Sequence, residues 1–328
     1  MANAIRIYSQ GGSDVLTYES IDSPVPAAGE IAIRQSAVGL NYIDVYHRSG
    51  AYPITDFPAI IGLEGAGTVT ALGEGVTQCA VGDRVAYAAP PMGAYADERV
   101  IPAHQVVKLP DDIEFDTAAA MMLQGLTVQY LIRQTYKVSS GETVLLHAAA
   151  GGVGLIASQW LNHLGVEVIG TVGTEEKAEL ARAHGCAHTI LYREENIADR
   201  VREITDGKGV PVVYDSIGQS TLDASLDSLS PRGLMVSFGA ASGPIESFNV
   251  GQLAAKGSLY LTRPSLMTYI ADPANLQAMA KDLLDVVGNG AVKININQRY
   301  ALADAAKAHD DLEARNTTGS TVLVPDQA

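Results

Sequence analysis

A chain of 328 residues that is 47% hydrophobic and 18% charged reads as a folded globular protein, too long for one ordinary core, so two domains are expected. Its formal net charge of -15 opposes phosphate backbones and anionic lipid surfaces, which need a basic footprint, and no nucleic-acid partner is expected. The longest apolar run, around residues 143 to 157, is broken by glycines and His147 and falls short of the ~18 residues a membrane crossing requires.

The opening "MANAIRIYSQGG" has no charged stretch followed by an apolar one, so a cytoplasmic location is expected. Cys79 and Cys186 stand far apart, without the spacing of a zinc knuckle or redox motif, and are expected to be buried or neutral thiols. The seven histidines show no paired ligand spacing either, and structural roles are expected for them.

From residue 1 to 124, short alternating segments ("AIRIYS", "EIAIRQSAVG", "GAGTVTALG", "DRVAYAA", "DERVIPA") lie between Gly, Pro, Asn and Asp turn signals, which predicts a mostly β domain. From 125 to 264, apolar strands alternate with helical segments. "ETVLLHA" (142 to 148) reads as a buried strand, and "GVGLIASQWLNHLG" (152 to 165) as a helix closed by Gly165. "VEVIGTV", "HTILY", "VPVVYDSIG", "GLMVSFGA" (233 to 240) and "SLYLTRP" (258 to 264) supply five more strands, with helices over 175 to 185, 195 to 207, 220 to 230 and 249 to 256. Together they predict an α/β domain with a six-stranded, doubly wound parallel sheet of the Rossmann type. Beyond residue 264 come a helix near 272 to 289, a short strand at "INQRYAL", a helix over 303 to 315 and a final "STVLVP" strand. The chain is therefore expected to return to its first domain, giving a catalytic domain of 1–124 and 265–328 around a dinucleotide-binding domain of 125–264.

Two glycine runs compete for the phosphate loop. "LLHAAAGGVGLIA" places Ala149, Gly151 and Gly154 at the positions of G-x-G-x-x-G between a strand and a helix, where backbone amides and the positive helix end approach a pyrophosphate. "GLEGAGTV" leads into an alternating strand, so its glycines read as aids to tight turns and close backbone approach. About 20 residues after the phosphate loop, where an NAD-selective fold places Asp or Glu on the ribose, the chain reads "TVGTEEK". Gly173, Lys177 and Tyr192 there offer donors and positive charge to a 2'-phosphate, so NADPH is the expected cofactor, although Lys177 also suits a solvated helix position beside Glu175 and Glu176.

These stretches, with "VGLNYIDVYHRSGAYP" (38 to 53), "PAIIGLEGAGTV" (58 to 69), "PRGLMVSFGAASG" (231 to 243) and "ARNTTGSTVLVP", resemble the zinc-independent quinone oxidoreductases of the medium-chain dehydrogenase/reductase superfamily, the group that includes zeta-crystallin. The resemblance spans both domains, and one departure is Asn162, where the family's loop signature usually has Lys, Arg or Ser. It implies a GroES-like first domain, a homodimer and NADPH-dependent reduction of a quinone held between the domains. Asn41 and Leu63 stand where the zinc alcohol dehydrogenases have a cysteine and a histidine ligand, so no metal is expected. Glu64 is then left to a structural hydrogen bond or ion pair. A quinone accepts hydride without strong polarisation, which suits a site lacking a Lewis acid.

The resemblance assigns Asn41, Tyr46 and Tyr52 to catalysis, and Asn41, Tyr42, Gln124, Thr127, Gly152, Val153, Gly173, Lys177, Tyr192, Phe238, Gly239 and Arg315 to the cofactor. Tyr46 and Tyr52 also suit simple packing, Asp44 suits a helix cap as well as proton transfer, and Arg315 suits a helix C-terminus. Two alternatives accompany the quinone: reduction of an α,β-unsaturated aldehyde or ketone by the same cofactor, and an RNA-binding or structural role.

Overall fold

The computed structural model describes residues 1–326 and divides into two compact units. The first comprises residues 1–126, 270–284 and 294 onward, the second residues 127–269 and 285–293. The opening segment carries β1 (Ala2–Ile7), β2 (Thr17–Ile21), β3 (Glu30–Leu40), α1 (Tyr42–Ser49), β4 (Ala59–Ile60), β5 (Glu64–Leu72), β6 (Arg84–Ala88), β7 (Glu98–Pro102) and β8 (Val107–Lys108). Two helices follow, α2 (Phe115–Ala119) and α3 (Met122–Tyr130).

β1 pairs antiparallel with β2 and β4 in a small sheet, and β3 pairs antiparallel with β5 and β7 in a larger one. The glycines of "GLEGAGTV" fit this sheet as the sequence anticipates. A Cβ on Gly67 would lie 2.0 Å from the Arg34 carbonyl oxygen, so only glycine lets the β5 backbone come that close to β3. Ile5, Ile7, Ile31, Ile33, Val38, Ile61 and Ile101 form the core of the unit.

The second unit begins inside α3, which ends in a π-helical turn at Leu131–Thr135 that the sequence pattern does not announce. It continues through β9 (Thr143–Leu146), α4 (Gly152–His163), β10 (Glu167–Val172), α5 (Glu175–Ala183), β11 (Cys186–Leu191) and α6 (Ile197–Ile204). Then come β12 (Val210–Asp215), α7 (Leu222–Ser228), β13 (Leu229–Ser237), α8 (Gly251–Ala255), β14 (Tyr260–Thr262) and α9 (Leu266–Tyr269). The strands run parallel in the order β11-β10-β9-β12-β13-β14. The order reverses between β9 and β12, the switch point at which doubly wound sheets open a crevice at the strands' C-terminal ends.

Two elements differ from the sequence pattern. β13 starts at Leu229, before Pro231 and Gly233, because a register shift between Val210 and Val212 lets the early residues pair with β12. The edge strand β14 is only three residues long. Gly165 closes α4 as expected: at φ +75° it donates to Asn162, while Val166 donates back to Leu161, the paired bonds of a Schellman cap.

The chain returns through α10 (Pro273–Gly288), β15 (Ile296–Ala301), α11 (Ala305–Glu313) and β16 (Ser320–Val324), and β16 joins the large sheet against β3. Residues 285–293 and 265–269 belong to the second unit rather than the first. Gln159 of α4 explains the former: its Nε2 donates to Lys293 O at 3.0 Å and its Oε1 accepts from Lys293 N at 2.9 Å. No helix among the described residues is long and apolar enough to cross a membrane.

α4 buries Leu155, Ile156, Leu161 and the fully enclosed Trp160 in the second unit. Trp160→Ala removes the largest of these side chains, with an expected loss of ~3–5 kcal/mol of unfolding free energy measured by denaturant titration with circular dichroism. A loss below ~1 kcal/mol would contradict this packing.

Candidate active site

α1 starts at an N-cap, Asn41, whose backbone is extended (φ -134°, ψ 159°) and whose main chain bonds reciprocally with the third residue of the helix. Asn41 N donates to Asp44 Oδ2 at 2.9 Å and Asp44 N donates to Asn41 O at 3.0 Å. Of the two readings open for Asp44, the structure therefore shows the cap. Tyr95 OH also donates to Asp44 Oδ2, at 3.2 Å, and lies 2.9 Å from His309 Nε2. The chain is consistent when His309 carries its proton on Nε2, and burial holds that imidazole neutral by pulling its pKa down to about 3.

The Asn41 side chain is held at both ends. Its Nδ2 donates to Glu64 Oε2 at 2.6 Å, and its Oδ1 accepts from Gln124 Nε2 at 3.2 Å. Glu64 Oε1 accepts from Leu123 N at 2.8 Å, so the carboxyl group also caps the start of α3. Ser320 Oγ completes the set, 2.8 Å from Gln124 Oε1 and 3.0 Å from Ala120 O. Gly39 on β3 makes room for the carboxyl group, since a Cβ there would lie 2.2 Å from Glu64 Oε2. Glu64 thus makes hydrogen bonds, not an ion pair. Burial raises it to about 8 and Asp44 to about 7, in each case against the N–H and O–H donors that favour the charged form.

The tyrosines assigned from sequence cluster along α1 and the loop that follows. The Tyr42 and Tyr46 rings lie 6.2 Å apart, Tyr46 and Tyr52 5.3 Å apart, and His47 meets Tyr52 edge-on at 5.7 Å. Tyr42 OH donates to Leu312 O at 3.1 Å, and Tyr52 is partly exposed. Arg315 follows α11 at φ +60°, near enough to Tyr42 for its charge to oppose the effect of burial on that phenol.

In the second unit, Gly151 caps α4 with no side-chain bond, and the first helical donor to reach back is Leu155 N, to Gly151 O at 2.8 Å. The amides of Gly152, Val153 and Gly154 precede it at the positive helix end, where an anion fits. A Cβ on Gly154 would lie 2.3 Å from Ala148 O, which brings the helix hard against the strand end, while one on Gly151 would meet nothing nearer than 3.4 Å. These residues fit a dinucleotide pyrophosphate. Beneath the loop, His147 Nδ1 lies 3.0 Å from Thr171 Oγ1 and Nε2 lies 3.0 Å from Ser225 Oγ, which donates to Asp215 Oδ2 at 2.6 Å. His147 is structural and, pushed down by burial, neutral.

Gly173 and Tyr192 meet at the ends of β10 and β11, where a Cβ on Gly173 would lie 2.7 Å from the Tyr192 hydroxyl. Lys177 stands one turn into α5, its amide donating to the Thr174 cap at 3.3 Å. Phe238 N donates to Asp215 O at 2.8 Å, and a Cβ on Gly239 would lie 2.5 Å from Ser216 O, so the segments after β12 and β13 run side by side. Thr127 is buried one turn beyond Gln124 on α3. No three His, Cys, Asp or Glu side chains among the described residues gather as a metal site, and Asn41 and Leu63 offer no thiolate or imidazole, so the donor set does not fit zinc.

Tyr95, His309 and Ser320 were not anticipated as parts of this site. Their partners lie 51, 214 and 196 residues away, and no local pattern marks such pairs.

Asp44 and Glu64 bind protons more tightly in the folded chain than at their ordinary values of 3.8 and 4.5. The unfolded chain therefore releases these protons first, and stability falls as pH rises from about 4.5 to about 8. Glu64→Gln should flatten that fall, so its Tm advantage over wild type grows across this window in thermal melts. A difference that shrinks with rising pH would contradict the burial argument.

Two family models match the chain: an alcohol dehydrogenase GroES-like domain over residues 27–111 and a zinc-binding dehydrogenase over residues 152–285. The chain is 55% identical to a quinone oxidoreductase of Pseudomonas aeruginosa over 99% of its length and 100% of the relative's. A 2-haloacrylate reductase of a Burkholderia species is 45% identical over 99% of both chains. The crystal structure of Escherichia coli quinone oxidoreductase complexed with NADPH matches with a TM-score of 0.97 at 46% identity, covering 98% of this chain and 100% of that one. The chain belongs to the quinone oxidoreductase family.

Proposed function

We propose that the protein is an NADPH-dependent quinone reductase. The observation that carries this reading is the full-length likeness to quinone oxidoreductases, one of them in complex with NADPH. The cofactor supplies hydride to the quinone; the chain binds, orients and donates hydrogen bonds. In this reading the first unit is the catalytic domain and the second the NADPH-binding domain.

Gly152 and Val153 present amides to the pyrophosphate. Gly173, Lys177 and Tyr192 serve the 2'-phosphate with charge and hydroxyl donors instead of a ribose-binding carboxylate, and the resemblance assigns Arg315 to the same phosphate. Gln124, Thr127, Phe238 and Gly239 border the cofactor, and Tyr42 stands at its nicotinamide end. Asn41, Tyr46 and Tyr52 meet the substrate, whose carbonyl oxygen gains negative charge as it is reduced and is stabilised by N–H and O–H donors placed in advance. The tilted Tyr42, Tyr46 and Tyr52 rings offer apolar faces to a planar acceptor. A homodimer and a cytoplasmic location belong to the same reading. The dimer forms at β14, which ends the six-stranded sheet and exposes Tyr260.

A second reading, reduction of a carbon–carbon double bond next to a carbonyl, is favoured by the 45% identity to the 2-haloacrylate reductase. Purified, chelator-treated protein should oxidise NADPH rapidly with a small benzoquinone, and more slowly with NADH. Turnover with an enone and none with the quinone would replace the substrate, and silence with both would overturn the enzyme reading.

Lys177→Ala should raise the KM for NADPH about tenfold at little cost in kcat, since one charge-assisted bond is worth ~1.5–3 kcal/mol and 1.4 kcal/mol is tenfold. An unchanged ratio of NADPH to NADH efficiency would remove Lys177 from the 2'-phosphate site. Light scattering after size exclusion should give twice the chain's 34.4 kDa, and a mass of one chain would contradict the dimer.

A further inference from the structure

We infer that Glu64 is a positioning residue that sets the polarity of the Asn41 carboxamide, so that Asn41 meets substrate as an N–H donor rather than as a carbonyl acceptor. The inference rests on the proposed contact between Asn41 and the substrate oxygen. Its basis is the row of bonds from Leu123 through Glu64, Asn41 and Gln124 to Ser320, all within the first unit.

An asparagine carboxamide turned by a half rotation has nearly the same shape, so packing alone does not choose which end is nitrogen. The partners choose. Leu123 contributes a backbone N–H that cannot be exchanged for an acceptor. Once ionised, the Glu64 carboxylate is an acceptor at both oxygens: it takes that N–H on Oε1 and presents Oε2 to Asn41, which must answer with Nδ2. Asn41 Oδ1 then requires a donor, and Gln124 turns its Nε2 toward it. Gln124 Oε1 in turn requires a donor, which Ser320 Oγ supplies. Only the first partner lacks a choice, so the direction of the whole row follows from the acid at position 64. One Nδ2 hydrogen of Asn41 goes to Glu64, and the second is left for a substrate oxygen on the same side.

Glu64→Gln reverses this row without removing a bond. The oxygen of the introduced carboxamide accepts from Leu123 N and its NH2 group faces Asn41, which turns to accept on Oδ1. Asn41 Nδ2 then donates to Gln124 Oε1, and Gln124 Nε2 donates to Ser320 Oγ, whose own proton goes to Ala120 O, 3.0 Å away. Shape and hydrogen-bond count are retained, while the group facing the substrate oxygen changes from a hydrogen to a lone pair. A residue that served only to fill space or cap α3 would tolerate this exchange.

The test compares wild type with Glu64→Gln in three ways. Thermal melting is run at pH 6, and steady-state kinetics with NADPH and a naphthoquinone at pH 9, above the value of about 8 to which burial raises Glu64, so that the acid is ionised. The third readout, also at pH 9, is the pair of 15N–1H resonances of the Asn41 carboxamide in cofactor-free protein, assigned through their loss in Asn41→Asp. The expected result is a folded variant with an unreduced Tm, a shifted Asn41 carboxamide and a kcat lower by roughly 10²-fold, the usual effect of losing one preorganised donor. KM for NADPH changes much less than kcat, because the phosphate-binding residues are untouched. Wild-type kcat in the variant, an unmoved Asn41 resonance, or failure of the variant to fold would each overturn the inference. A wild type idle with every quinone would overturn the proposed function instead, and the resonance would still decide the polarity.

Discussion

A carboxylate taken out of water is costly unless donors meet it, and Glu64, 1% exposed, is met by one donor from the N-cap of α1 and one from the first turn of α3. The two helix starts, and with them Asn41 and Gln124, are thereby fixed to the end of β5. Gly39 on the neighbouring strand leaves the space this requires. The same α1 start is secured from its other side by Asp44, Tyr95 and His309, a second buried row in which the imidazole stays neutral. Asn41 thus has both its main chain and its side chain fixed by buried partners. That rigidity is what an electrostatic site needs, since donors already in place cost no reorganisation as charge develops.

The second unit solves a different problem with similar means. A phosphate loop needs bare amides at a helix start, so it cannot be held by side chains of its own. Its support comes from below, where His147, the last residue before the loop, joins Thr171 of β10, Ser225 of α7 and Asp215 of β12. The strands on both sides of the switch point are tied together at the position where their C-terminal ends open. Ala148, next to His147, sits at φ +55°, a conformation that costs a non-glycine residue energy and that this buried knot holds in place.

Most of the second unit was legible in the sequence because its signals are local. Strand–helix alternation, the small residues at 149 to 154 and the Gly165 cap each depend on residues within one turn or one strand. The boundaries were less legible, because a register shift at β13 and the side-chain bonds of Gln159 with Lys293 are tertiary facts. Asn41, Tyr42, Tyr46 and Tyr52 are assigned through one contiguous motif, and the structure clusters the three tyrosines. Glu64 was left with an unspecified bond or ion pair, since its partners Asn41 and Leu123 come from segments 23 and 59 residues away. Ser320 and His309 were invisible for the same reason.

In the proposed reaction, hydride moves from the nicotinamide to the quinone in a site whose own residues supply only hydrogen bonds and orientation. Its most direct measurement is single-turnover reduction of benzoquinone by chelator-treated protein with NADPH carrying deuterium at one or the other C4 position. Deuterium is expected to leave from one position only, and the transfer to slow several-fold with that isotopomer. Equal loss from both positions, no slowing with either, or a rate abolished by chelation and restored by zinc would contradict it.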